Sequence, residues 1–130
     1  PVAALKFTDA EYYLDSKGNC FPVKEDWCKN TVKVYGMREF TNTVWNKRIA
    51  AMAQWIKNDP RWQTLVEKLV SDDNGDISVC IKGKNELFLI GQPTGYEKKF
   101  GRIGRYIDKI GPYKEYDSVN VKYKGQIVCK

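Results

Sequence analysis

The residues that most often carry chemistry are unevenly supplied in this chain of 130 residues, which contains no histidine. That absence removes Ser-His-Asp and Cys-His catalysis and every His-ligated metal site. Carboxylates are the next candidates, because glycoside hydrolysis needs two of them. Asp72, Asp73 and Asp76 fall in a run, Asp-Asp-Asn-Gly-Asp, that reads as a hairpin turn, where Asp is favoured for backbone reasons alone. The same run lacks the alternating order and closing Glu of a calcium loop. Glu97 is accounted for by Thr94-Gly95-Tyr96-Glu97, an S/T-x-x-E capping box. Gly101 and Gly104 lie inside a helical pattern, so their spacing points to helix packing and not to a phosphate cradle. No P-loop or dinucleotide fingerprint is present. These residues give no catalytic constellation, no metal site and no cofactor site, and the expectation is a protein that is not an enzyme.

Four cysteines remain, Cys20, Cys28, Cys80 and Cys129, with no C-x2-C pair among them. Zinc is a poor reading. Two disulfides in an exported protein, with three connectivities, and four free thiols both fit the count. The net charge is +6, and residues 96–130 carry nine bases against four acids, so +5 of it falls there. A patch of this kind suits an acidic partner, anionic lipid or nucleic acid, and equally a solvated helix face. Tyr106, Tyr113, Tyr116 and Tyr123 near that basic segment add the stacking groups a single-strand binder would use. An RNP-type aromatic signature is absent, which leaves nucleic-acid binding as an alternative beside a small secreted carbohydrate-active enzyme.

The elements that must position these residues follow from hydrophobic periodicity. Hydrophobic residues are 42% of the chain and charged residues 29%, the balance of one globular domain. No run approaches 18 apolar residues, so no membrane span is expected within the chain. Strands are expected at 2–7, 11–14, 20–23, 31–35, 77–81, 87–90, 119–123 and 126–129, with a turn at 15–18 and a loop at 26–30. Trp45, Ile49, Met52 and Ile56 recur at helical spacing after Thr41 or Thr43, either of which suits an N-cap, and Asn58-Asp59-Pro60 ends that helix. Phe100, Ile103, Ile107 and Ile110 form the apolar face of a second helix, closed by Gly111-Pro112. Residues 61–71 fit helix by pattern, while 65–71 also fits a strand feeding the following meander. The fold class expected is α+β, a mostly antiparallel sheet with two main helices.

In its C-terminal third, Leu89-Ile90-Gly91-Gln92-Pro93-Thr94, the helix with Glu97-Lys98-Lys99, and Tyr116-Asp117-Ser118-Val119-Asn120-Val121-Lys122-Tyr123-Lys124-Gly125-Gln126-Ile127-Val128-Cys129 resemble the end of the β domain of the FtsQ/DivIB cell-division family. Near the start, Pro1-Val2-Ala3 resembles the end of that family's POTRA domain, and Tyr12-Tyr13-Leu14-Asp15-Ser16-Lys17-Gly18 its hairpin. The resemblance runs through nearly the whole chain in order. It implies that residues 1–7 are the end of a preceding POTRA-type domain or the first strand, and that 8–130 are the β domain. Opening on Pro1, the chain is expected to be a piece of a longer protein with one N-terminal membrane span, this domain facing the periplasm or extracytoplasmic side at the division site.

By the same resemblance the chain is a non-enzymatic scaffold of the divisome. It would recruit FtsB- and FtsL-type proteins, with septal peptidoglycan synthases as further partners, and so regulate septum formation. No nucleic-acid partner is implied. A last strand at a sheet edge offers unpaired N–H and C=O groups to a partner strand. The residues expected there are Tyr123 as anchor, with Lys122, Lys124, Gln126 and Val128, and Arg102 and Arg105 on the helix facing acidic groups of the partner.

Overall fold

The computed structural model of the chain describes residues 1–7, 11–22, 31–37 and 43–130. The strands are β1 (Ala3–Phe7), β2 (Glu11–Leu14), β3 (Cys20–Pro22), β4 (Val32–Met37), β5 (Val66–Ser71), β6 (Ile77–Ile81), β7 (Leu87–Gly91), β8 (Ser118–Asn120) and β9 (Val128–Cys129). The helices are α1 (Thr43–Asn58), the single-turn α2 (Trp62–Leu65) and α3 (Tyr96–Lys109). The strands described form one sheet in the order β3-β2-β1-β4-β5-β6-β7-β8-β9. β1–β4, β4–β5 and β7–β8 are parallel, and the other neighbours are antiparallel. The class is α+β and mostly sheet, as the pattern implies.

Strand alternation explains the layering. Leu5, Val34, Leu69, Val79, Phe88 and Val119 are register partners in succession across six strands, and each is fully buried. One residue along, Tyr35, Val70, Ser78, Leu89, Asn120 and Val128 make the corresponding row on the opposite face. The helices cover the first row. Ile49, Met52 and Ile56 of α1 join Phe100 and Ile103 of α3 in the same buried cluster. The ring centroids of Trp55 and Phe100 lie 5.4 Å apart, and those of Trp62 and Phe100 5.2 Å. Helix packing also accounts for Gly104, where a Cβ would stand 3.0 Å from Arg61 Nη1. Arg61 itself pairs with Asp108 of α3, Nη2 to Oδ1 at 2.9 Å.

Several expectations are resolved or corrected. Residues 61–71 are both things: Asp59 Oδ1 accepts the N–H groups of Arg61 and Trp62 at the start of α2, and the chain turns extended at Val66 to become β5. The capping box does not form. Gly95 precedes α3 in the left-handed conformation, with φ 57°, and no side chain caps the helix. Glu97 still lies in the first turn, where a negative charge suits the helix dipole. Thr43 opens α1 as a helical residue, whereas Thr41, Val23 and the 26–30 loop lie outside the described residues. The strand expected over 119–123 stops at Asn120, and only Val128 and Cys129 remain of the one expected over 126–129.

The two margins of the sheet differ. In the β2–β3 hairpin Asp15 N–H donates to Asn19 O at 3.0 Å, so alternation turns the backbone groups of Phe21 toward Tyr13 and those of Cys20 and Pro22 away from β2. Pro22 has no N–H to offer on that outward side. At the other margin Ser118 and Lys130 exchange both backbone bonds, at 3.1 and 3.0 Å. The same alternation then turns Cys129 of β9, and Ile127 just before the strand, outward from the sheet.

Candidate functional site

The side chains that suggested catalysis are spent on turns. Asp72 Oδ1 accepts the N–H groups of Asn74 and Asp76, at 2.8 and 2.9 Å. Asp76 Oδ1 accepts Gln92 Nε2 at 2.7 Å, and Trp45 Nε1 donates to Gly75 O at 2.9 Å. These bonds tie the β5–β6 turn to α1 and to the segment between β7 and α3. Among the described residues no group of three His, Cys, Asp or Glu side chains is placed to hold a metal. Cys20, Cys80 and Cys129 are free thiols, each pushed up from the ordinary pKa chiefly by burial. Cys28 lies outside the described residues.

The tyrosines do not line one groove. Tyr106 is fully buried in the core, Tyr116 is half-buried against it with centroids 6.4 Å apart, and Tyr113 is 88% exposed. Tyr106 is engaged in a site that the sequence reading missed. Its hydroxyl donates to Oε2 of the buried Glu86 at 2.8 Å, with the Lys114 carbonyl at 3.4 Å. Burial, and then the Glu86 carboxylate, raise its pKa well above the ordinary tyrosine value. A carboxylate immediately before the apolar strand 87–91 was the only sequence signal for this pair.

The residues expected at the partner edge are brought together in part. β9 is the outermost strand beyond β8. Between them the chain makes a turn in which Gln126 N–H donates to Tyr123 O at 3.1 Å, with Gly125 at φ 72°. Tyr123 is 60% exposed in this turn, so it is neither a strand residue nor a core residue. Lys124 and Gln126 are exposed beside it, and Val128 is exposed on the sheet face opposite the helices. The half-buried Lys122 lays its stem along Gly91, and its N–H donates to Asn120 Oδ1 at 2.9 Å. Arg105 is exposed on α3.

Arg102 requires correction. It is buried, and its Nη1 donates to the Val121 carbonyl at 2.8 Å, so it is not the surface cation expected. Lys99 is close by, its Nζ donating to Gln92 O at 3.0 Å. Burial lowers the pKa of Lys99, the Arg102 charge lowers it further, Asp76 opposes this, and Lys122 adds to the lowering. Lys99, Arg102 and Lys122 therefore form a cationic group beside the end of β8.

Fold and site together define an α+β domain whose sheet ends in a short, cation-flanked strand with an exposed tyrosine at its turn. A family model described as FtsQ/DivIB, C-terminal related, matches residues 1–130, and the chain belongs to that family. No curated protein matches the chain. Membership gives the chain a role in cell division within a family of non-enzymatic, membrane-associated division proteins. Among the described residues no helix is long and apolar enough to cross a membrane.

Proposed function

We propose that this domain is a divisome scaffold that recruits FtsB- and FtsL-type proteins by accepting a partner strand along β9, and so regulates septal peptidoglycan synthesis. In this reading the parent protein carries a POTRA-type domain and one membrane span before Pro1, and the domain works outside the cytoplasmic membrane at the division site. The observation that carries the reading is the outer side of β9, where the backbone groups of Ile127 and Cys129 face away from the sheet next to the exposed Tyr123. An added strand would satisfy those groups, and Tyr123 would supply the large amphipathic contact typical of interface anchors. Val128 and Gln126 would flank it. Lys122, Lys124 and Arg105 would meet acidic residues of the partner, contributing mainly to rate and specificity.

The test is binding of this domain to the extracytoplasmic segments of the FtsB- and FtsL-type proteins from the same cell, for the parent and Tyr123→Ala. Saturable binding that weakens about tenfold or more, roughly 1.4 kcal/mol, in a folded variant supports scaffold and site together. Binding untouched by the substitution keeps the scaffold and removes the site. Absence of binding to both, with salt-sensitive retention of single-stranded nucleic acid, replaces the reading with the nucleic-acid one.

A further inference from the structure

α3 buries Arg102 together with Phe100, Ile103, Gly104 and Tyr106. A buried charge is costly unless it is bonded, and only 8% of Arg102 is exposed. Among the described residues no carboxylate pairs with it. Nearby, Lys99 Nζ bonds the Gln92 carbonyl and the Lys122 stem lies along Gly91, and Lys99 feels the charges of Arg102, Asp76 and Lys122. The bond Arg102 does make goes to one backbone oxygen, the Val121 carbonyl, at the residue where the chain leaves β8.

That residue is where the sequence pattern and the structure part. Val119, Val121 and Tyr123 alternate as a strand would, yet β8 ends at Asn120. Val121 N–H still donates to Leu89 O of β7 at 3.0 Å, but its carbonyl is turned to α3 by Arg102. The next N–H, that of Lys122, is taken by Asn120 Oδ1. The Val121 carbonyl, which alternation would aim at β7 for the next β7–β8 bond, and the Lys122 N–H, which would carry the β8–β9 ladder onward, are thus both engaged elsewhere, and residues 121–127 stand off with Tyr123 in their turn.

We infer that Arg102 is a positioning residue for the partner edge: through the Val121 carbonyl it holds the 121–127 segment open, presetting Tyr123 and the outward groups of Ile127 and Cys129 for an incoming strand. The inference rests on the reading above, and the experiment separates the two. Backbone chemical shifts and amide exchange of residues 121–127 are measured in the free domain for the parent, Arg102→Met and Arg102→Lys. Binding to the FtsB-type extracytoplasmic segment is measured for each, with and without Tyr123→Ala. The methionine variant is expected to shift resonances of 121–127 toward strand values and to weaken binding about tenfold, but less than about twofold in the Tyr123→Ala background. The lysine variant, which keeps the charge and a donor, is expected to stay near the parent in both readouts.

Unchanged resonances in the methionine variant overturn the inference. Equal losses of binding in both Tyr123 backgrounds, with shifts spread through α3 and β7, also overturn it, because the role is then one of general stability. Should the methionine variant fail to fold, Arg102→Gln, a shorter donor, takes its place under the same criteria. A parent domain that does not bind the segment refutes the proposed function, while the free-domain resonances still decide whether Arg102 sets the segment.

Discussion

Tyr106 and Glu86 bury an acid and a phenol against each other beneath the β7–β8 pair, and the hydroxyl donates to that carboxylate at 2.8 Å. Removing it leaves a buried carboxylate without that bond, so Tyr106→Phe is expected to lower stability by roughly 1–3 kcal/mol in denaturant titration. Its pH dependence has a fixed sign. The folded chain holds the Tyr106 proton above the ordinary tyrosine pKa, through burial first and Glu86 second. Its contribution is fully present below about pH 10, and is lost above that, where the unfolded chain gives up the proton and the folded one keeps it. Phenolate absorbance should therefore show a tyrosine titrating above the ordinary tyrosine range, and Tyr106→Phe should remove it. Glycines separate equally cleanly. Gly36 has φ 80° and a Cβ there would run into the Ser71 carbonyl, so Gly36→Ala should cost at least about 2 kcal/mol. Gly101 has open space around it on α3, so Gly101→Ala should stabilise by about 0.5–1 kcal/mol in the same titration.

Among the elements, the start of α3 gives the sharpest contrast between local pattern and fold. Thr94-Gly95-Tyr96-Glu97 spells a capping box, but the left-handed Gly95 and the absence of a side-chain cap show that the helix begins differently. Thr94→Ala is therefore expected to cost less than about 0.5 kcal/mol, below the usual loss for an N-cap. Gly95→Ala should cost about 1–2 kcal/mol for its left-handed backbone, although a Cβ there meets nothing. The helices themselves were legible, since the Trp45, Ile49, Met52, Ile56 face and the Phe100, Ile103 face both pack into the core. The α2–β5 switch was left open between helix and strand, because residues 62–65 take one helical turn whose exit is fixed by pairing of β5 with β4 and β6. The early end of β8 was hidden for a similar reason: Arg102 and Val121 are 19 residues apart, and no window of local periodicity spans them.

For the whole molecule, charge and topology carry different kinds of information. The +6 net charge was plain in the sequence, but Arg102 is withdrawn from solvent and Lys99 is half-buried, so the accessible basic surface is smaller than the count implies. If the partner is acidic, raising ionic strength should slow association more than it speeds dissociation, which surface-immobilised kinetics at several salt concentrations would read. Strand order was beyond sequence reading, since the parallel β1–β4 and β7–β8 pairings join segments separated by a hairpin and by a helix. Individual strands were visible through the alternation of Leu5, Val34, Leu69, Val79, Phe88 and Val119, whereas their adjacency depends on contacts between distant parts of the chain. The candidate edge was legible as a terminal hairpin turning at Lys124-Gly125, and the place of Tyr123 in that turn, off the strand, was not.

The proline on the opposite margin bears on stoichiometry. A sheet that accepts strands at both ends is a bivalent monomer, and bivalent monomers polymerise. Here the β3 side presents Pro22, which has no N–H, beside the outward groups of Cys20, while the β9 side presents Ile127 and Cys129 with their N–H groups intact. In the proposed reading this difference, among the described residues, favours strand addition at one terminus of the sheet. The expected stoichiometry in that reading is one partner strand per copy, ending a chain of contacts instead of extending it.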